Sequence, residues 1–277
     1  MRRSRAMEKI RGGKEVRIAG LGYVLPPFLA YAAHSGYDCI ILDLEHHPMD
    51  DGEVLTLLAL SHLYDIDIMV RPESRGGVRL GRFLEDGAAG LLIPRVNSAA
   101  EVRDLVEKVK FPPVGDRGMA ARSPNLWAHF GLEVADDQEL HDGHVSLANQ
   151  ALSETFLILQ LETPAGIADL DEMAAVPGFE GFFVGPADLA LRMQYEPEER
   201  RVSYEETLRR LSTACQRHDL VWGSFAGDVA ELREFTWPWC AAAVVGHRLG
   251  SVACGSGGLR ERVGRVDRGP RLGEELN

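Results

Sequence analysis

The chain predicts a parallel α/β barrel, and three observations carry that reading. Short apolar runs recur along its 277 residues, helical stretches separate them, and four of the runs end directly in residues able to do chemistry. Cys39-Ile40-Ile41-Leu42 runs into Asp43, Glu45 and His46, and Ile66-Asp67-Ile68-Met69-Val70 runs into Arg71. Phe156-Leu157-Ile158-Leu159-Gln160-Leu161 runs into Glu162, and Gly181-Phe182-Phe183-Val184 runs into Gly185-Pro186-Ala187-Asp188. In a (β/α)8 TIM barrel every C-terminal strand end opens onto one face, so such residues meet in space however far apart they lie in sequence. That convergence reads as an enzyme.

Eight strands are expected, over 17–23, 39–44, 66–70, 90–94, 156–161, 181–184, 220–225 and 241–246. Most are continuously apolar rather than alternating, the pattern of parallel strands covered on both faces. Helices are expected between them, among others at 51–64, 77–86, 98–110, 166–175 and 203–218. Ser98 followed by Glu101 has the form of a capping box, and Asp86-Gly87 and Val176-Pro177-Gly178 have the form of helix ends. The stretch 111–149 breaks the short rhythm. A connection that long inside a compact domain is usually functional or carries extra helices, so a lid or subunit-contact segment is expected there. Residues 1–15 read as an N-terminal extension, 16–264 as a single barrel domain and 265–277 as a charged, flexible tail.

Bulk properties agree. Hydrophobic residues make up 45% of the chain, enough for a substantial core, and the length suits one barrel of about 250 residues. Lys and Arg number 30 against 42 Asp and Glu, a net charge of −12, which argues against nucleic acid or an anionic membrane as partner. The basic opening (Arg2, Arg3, Arg5, Arg11) lacks the apolar stretch of a signal peptide, and no run approaches the roughly 20 apolar residues of a membrane span. Cysteines at 39, 215, 240 and 254 show no paired spacing, so reduced thiols are expected rather than disulfides or a zinc knuckle. The expectation is a cytoplasmic protein.

Glu162 and Asp188 each follow an apolar run, which places two carboxylates at the rim. Two oxygen ligands with open positions suit a hard divalent cation that keeps waters and accepts substrate oxygens. Singly, each also fits a helix cap or a rim salt bridge. Gly185 and Ala187 leave backbone accessible at a strand-to-helix turn, where N–H groups can hold a carboxylate, although an ordinary βα turn has the same form. His46, with Asp43 and Glu45 close by, reads as a proton carrier, the alternative being a histidine satisfied by backbone. His47 precedes Pro48 and reads as turn chemistry. Arg71 at a strand end can share the charge of an oxyanion or enolate, or serve in a structural salt bridge. His129, His141 and His144 read as solvated or substrate-facing rather than as zinc ligands.

The string Gly36-Tyr37-Asp38-Cys39-Ile40-Ile41-Leu42-Asp43-Leu44-Glu45-His46-His47-Pro48 resembles a signature of the HpcH/HpaI aldolase and citrate lyase family. Within it, the branch of 4-hydroxy-2-oxoheptanedioate and 2-dehydro-3-deoxyglucarate aldolases is the most similar. Val70-Arg71-Pro72, the block from Leu84-Glu85-Asp86-Gly87-Ala88 to Ile93-Pro94, and Pro112-Pro113-Val114-Gly115-Asp116-Arg117-Gly118 follow in the family's order. So do Gln160-Leu161-Glu162-Thr163-Pro164-Ala165-Gly166 and Val184-Gly185-Pro186-Ala187-Asp188-Leu189, and the resemblance spans residues 19–258.

The resemblance implies a modified (β/α)8 barrel that assembles as a homohexamer, with metal-dependent class II chemistry on pyruvate or a related 2-oxo acid and an aldehyde acceptor. By motif, Glu162 and Asp188 would hold Mg2+ or Mn2+, with Co2+ also suited. Gly185, Ala187 and Asp188 would present backbone N–H groups to the pyruvate carboxylate, Arg71 would meet the keto oxygen, and His46 with Asp43 would move the proton. Glu45 belongs to the motif and would shape the network around the metal. No strand ends in lysine, which disfavours Schiff-base chemistry. Two departures stand out. Glu85 occupies a place where family members often carry Asp, linked to a neighbouring subunit's site, and the middle segment matches no common aldolase pattern. The competing readings are a condensing enzyme that takes oxaloacetate or an acyl-CoA, and a non-catalytic barrel that binds a 2-oxo acid.

Overall fold

The computed structural model describes residues 2–119, 137–226 and 240–245, with backbone alone at 137–142, 226 and 240–245. It is a parallel α/β fold. The strands are β1 (Val16–Leu21), β2 (Cys39–Asp43), β3 (Asp67–Arg71), β4 (Gly90–Ile93), β5 (Phe156–Leu161), β6 (Gly181–Val184), β7 (Val221–Ala226) and β8 (Cys240–Val245). Each pairs in parallel with its successor, and β8 also pairs with β1, so the strand order closes on itself. Every expected run appears, within two residues at each end.

Strands β2 to β6 are buried on both faces, and their side chains alternate between two clusters. Val16, Ile18, Cys39, Ile41, Met69, Leu92, Phe156, Ile158 and Phe183 pack together on the inner face. Their neighbours Ile40, Leu42, Ile68, Val70, Leu157 and Leu159 pack outward against helices. This period of two is why the runs read as continuously apolar: both faces are dry. Cys39 and Cys215 are buried free thiols, and burial pushes both well above the ordinary thiol range.

The helices are α1 (Arg5–Arg11), α2 (Pro26–His34), α3 (Asp51–Leu63), α4 (Gly77–Glu85), α5 (Ala99–Val109), α6 (Asp137–Glu154), α7 (Pro164–Ala168), α8 (Leu170–Ala174), α9 (Pro186–Met193) and α10 (Tyr204–His218). The single helix expected over 166–175 is two. Asp169 breaks it by accepting the Ala99 N–H at 2.8 Å, so it caps α5 instead of continuing its own helix. At α5 only half of the expected capping box forms: Ser98 takes the Glu101 N–H, while the Glu101 carboxylate turns to Arg75 and the Asn97 N–H. A complete box sits at the start of α3, between Asp50 and Glu53. The long middle connection contains α6, and Arg117 of its opening motif is buried over the Phe111 ring, with burial pushing its guanidinium down to about 10. His129, the side chain of His141 and the 265–277 tail lie outside the described residues. Among the described residues, no helix is long and apolar enough to cross a membrane.

The first residues do more than extend the chain. Helix α1 inserts Ala6 and Met7 into the inner cluster at the N-terminal ends of the strands. Asp67, fully buried at the start of β3, accepts from Ser4 Oγ at 2.7 Å and from the Ala6 N–H at 2.8 Å, and pairs with Arg2. Asp38 does the same for Lys9, at 2.6 Å. Removing one partner of a buried charge network costs about 3–5 kcal/mol. Asp67→Ala is therefore expected to lower unfolding stability by about 3 kcal/mol in urea titration, on that scale; an unchanged midpoint would show that α1 is held by packing alone.

Candidate active site

The inner face of the strands changes character along its length. On β2 the inward series is Cys39, Ile41, Asp43, and on β3 it is Asp67, Met69, Arg71, so apolar filling gives way to charge at the C-terminal ends. The β2–β3 register places Asp43 directly against Arg71. Their side chains form a fork, Nε to Oδ1 at 2.8 Å and Nη2 to Oδ2 at 2.7 Å, and both are buried. Asp43 Oδ1 also accepts the backbone N–H groups of Glu45 (3.1 Å) and His46 (3.4 Å), which turns the chain over the rim.

Glu45 gathers basic side chains around this pair. Its Oε2 lies 3.6 Å from Arg71 Nε and 3.7 Å from His46 Nε2, and its Oε1 lies 3.4 Å from Arg95 Nη2. The expected pairing of His46 with Asp43 holds only through the backbone. Arg71 already occupies the Asp43 carboxylate, and the half-exposed His46 ring sits by Glu45 instead.

On β5 the inward series Phe156, Ile158 continues to Gln160 and, just past the strand, Glu162. Both polar side chains are buried, and Gln160 Nε2 donates to Glu162 Oε2 at 2.6 Å. Gln160 Oε1 has no partner among the described residues. Gly185 follows β6 and must lack a side chain: a Cβ there would sit 2.8 Å from both Gln160 Nε2 and Glu162 Oε2. Its N–H is already given to the Leu161 carbonyl at 2.9 Å, so it cannot serve a substrate carboxylate as expected. Ala187 and Asp188 remain in the first turn of α9, whose N-cap residue, Gly185, has no side chain to cap it. N–H groups in that turn have no intrahelical partner. Asp188 is ion-paired with Arg192 at 3.3 Å.

The electrostatics divide the carboxylates. Burial alone would raise Asp43, but the two Arg71 hydrogen bonds and its charge hold it below the usual carboxylate range. Arg71 is correspondingly raised: Asp43 outweighs burial, with Glu45 and Glu162 adding to it. Glu162 moves the other way, pushed up by burial and then by the charges of Glu45 and Asp188, which Arg71 and Arg192 only partly offset. The four strand-end residues Asp43, Arg71, Glu162 and Asp188 thus share one electrostatic neighbourhood. Among the described residues no group of three or more His, Cys, Asp or Glu is arranged to enclose a metal.

Residues 25–252 match the HpcH/HpaI aldolase/citrate lyase family over most of the chain. The chain belongs to this family. A hydroxypyruvate/pyruvate aldolase from Pseudomonas aeruginosa is 30% identical over 249 residues, covering 88% of this chain and 86% of the relative. Among solved structures, an HpcH/HpaI aldolase from Desulfitobacterium hafniense superposes with a TM-score of 0.75 at 23% identity, covering 86% and 88% of the two chains. A citrate synthase shares the fold with a TM-score of 0.72 at 18% identity, over 86% and 88%. Membership of the HpcH/HpaI family makes the chain an enzyme of the carbon–carbon lyase type.

Three of the residues at this HpcH/HpaI rim had no role in the sequence reading. Gln160 was legible in principle, two residues before Glu162 and therefore on the same inner face. Arg95 and Arg192 come from a loop and a helix, and only the fold brings them to Glu45 and Asp188.

The raised Glu162 has a consequence for stability. A carboxyl with a folded value above its unfolded one favours folding when protonated and opposes it once both states ionise. Glu162→Gln is therefore expected to raise the urea midpoint of EDTA-treated protein at neutral pH, the gain shrinking as pH falls through the raised Glu162 value and vanishing below the usual carboxylate range. A gain that is the same at both pH values would place the cause outside Glu162 ionisation.

Proposed function

We propose that this enzyme is a metal-dependent class II aldolase. It forms or cleaves the C3–C4 bond of a 4-hydroxy-2-oxo acid through the enolate of pyruvate or a close 2-oxo acid such as oxaloacetate, with an aldehyde as acceptor. The scaffold in this reading is a full (β/α)8 barrel of the phosphoenolpyruvate/pyruvate type, supported by the pairing of β8 with both β7 and β1. The observation that carries the reaction is the Arg71–Asp43 fork set beside Glu45, Glu162 and Asp188 at one rim. The name of the hydroxypyruvate/pyruvate aldolase relative supports the substrate class. The homohexamer and cytoplasmic setting implied by the sequence resemblance belong to the same reading.

The residues present fit a divalent cation such as Mg2+, Mn2+ or Co2+. Glu162 is a carboxylate raised by burial and then by two carboxylate neighbours, the mark of a position short of positive charge. Glu162 and Asp188 would hold the ion and leave room for waters and substrate oxygens, as hard cations prefer. When bound, it supplies the electron withdrawal that makes the protons beside a 2-oxo group acidic.

The chain's own groups do the rest. The Ala187 and Asp188 N–H groups at the start of α9 bind the substrate carboxylate. Arg71, held in plane by Asp43, directs its remaining donors at the keto oxygen as it becomes an enolate oxygen. His46, half exposed beside Glu45, takes the proton from the substrate methyl and returns it. No lysine competes for the carbonyl. Lys110, the buried one, is ion-paired with Glu180 at 2.7 Å and bonded to the Thr155 carbonyl, at the far ends of the strands.

Proton NMR of pyruvate in D2O tests the enolate half without knowledge of the acceptor. With Mg2+ or Mn2+ the methyl signal is expected to decay, and EDTA or Glu162→Gln to stop it. Arg71→Lys keeps the charge but loses the fork, and is expected to slow exchange by about 10²–10³-fold, the scale for losing an oxyanion partner. No decay from folded, metal-supplied protein would refute the aldolase reading.

A further inference from the structure

Asp43 is the most heavily used acceptor of this site, and one of its neighbours has no part in the reaction sketched above. Oδ1 takes N–H groups from Arg71, Glu45 and His46, and Oδ2 takes Arg71 Nη2. Also against Oδ2 stands His47, with Nε2 at 3.7 Å.

The fold makes room for this ring. Gly22, just past β1, lies so close that a Cβ there would come within 2.5 Å of His47 Cδ2 and 2.8 Å of its Nε2. Tyr23 packs on it as well, ring centroids 5.1 Å apart and inclined at 57°. The His47 side chain is 32% exposed, against 57% for His46. Of two adjacent histidines, the second is therefore the one packed by another element of the fold and brought to the buried ion pair. A residue serving only the turn before Pro48 would need neither a glycine at 22 nor an approach to Asp43.

We propose that His47 is a positioning residue of the aldolase site, whose Nε2–H closes the open side of Asp43 Oδ2 and so holds the Arg71 guanidinium in its working plane. The inference rests on the reading of Arg71 as the partner of the enolate oxygen. The physical reason is the rigidity of the fork. Two parallel N–H···O bonds make the guanidinium coplanar with the carboxylate, so whatever fixes the carboxylate plane fixes the arginine. The present contact is long for a hydrogen bond, as contacts in substrate-free sites often are before they tighten in the complex. The groups facing His47 are Tyr23 from the loop after β1, Asp43 from β2 and, through Asp43, Arg71 from β3.

The test compares the full chain with His47→Leu, which removes the donor, and His47→Gln, which places an amide N–H near the Nε2 position. The first readout needs no turnover: the Arg71 Nε–H resonance in 15N-labelled protein, assigned by its loss in Arg71→Lys. Its exchange with water is expected to quicken by at least about tenfold in His47→Leu and to stay within about twofold in His47→Gln, since protection tracks local opening. The second is pyruvate methyl exchange, where His47→Leu is expected to lower kcat about 10–100-fold with KM for pyruvate within about twofold, and His47→Gln to restore most of it. An unchanged Arg71 resonance in folded His47→Leu overturns the inference, and so does an equal loss in both variants. A wild-type chain that exchanges no pyruvate defeats the aldolase reading, and the Arg71 resonance then decides the positioning one by itself.

Discussion

Arg71 and Asp43 meet because β2 and β3 are paired in register to their last residues and both side chains fall on the inner face. A buried pair of this kind adds little net stability, since desolvation offsets most of the attraction, but removing either partner strands a charge. What it supplies is geometry. The Glu45 and His46 N–H groups hang from Asp43, the Glu45 carboxylate is drawn to Arg71, and through Glu45 the Arg95 and His46 side chains are gathered at the rim. Lysine could neutralise Asp43, but a point charge would leave the plane of the carboxylate, and everything hung on it, undetermined.

The two ends of the strands use buried carboxylates to opposite effect. At the start of β3, Asp67 is fully buried, yet its oxygens are met by Arg2, Ser4 and the Ala6 N–H. Asp38, just before β2, is likewise met by Lys9 and the Arg17 N–H. Those carboxylates are satisfied by the chain itself and close that end with α1. At the other end, Glu162 takes a neutral donor from Gln160, the charges of Glu45 and Asp188 outweigh the relief from Arg71 and Arg192, and Gln160 Oε1 has no partner among the described residues. Incomplete satisfaction of a buried carboxylate is what local folding rules avoid, and Glu162 at the rim is a place where function overrides them.

Much of this was legible in one dimension. A strand that ends in a polar residue prints its own position, which is why Asp43, Arg71, Glu162 and Asp188 could be named from four runs. What escaped depends on properties that no run encodes. The Gly185 N–H is lost to Leu161 because parallel strands bond past their ends, a matter of pairing rather than residue type. Asp169 breaks a helix whose apolar spacing continues through it, because its carboxylate is wanted by α5. Pro48 made His47 read as part of a turn, and only the fold brings Gly22, Tyr23 and the Asp43 oxygens to its ring. The basic opening looked like an appendage because its partners lie about sixty residues away.

The unequal pairing of charge also separates the carboxylates of the rim. Asp43 has a guanidinium forked onto it and is lowered, whereas Glu162 shares the influence of that same guanidinium at longer range and is raised. Two carboxylates pushed apart in this way take separate tasks. Asp43 is already compensated and has little to gain from a further cation, so it does not compete for one. Glu162, with Asp188 as its neighbour, gains most from added positive charge. In the proposed reading, a cation at that pair and the arginine held by Asp43 would be two distinct positive centres, each with its own carboxylates. An oxygen gaining charge during reaction would then be stabilised by both without either being withdrawn from its own partner, the preorganisation an enolate requires.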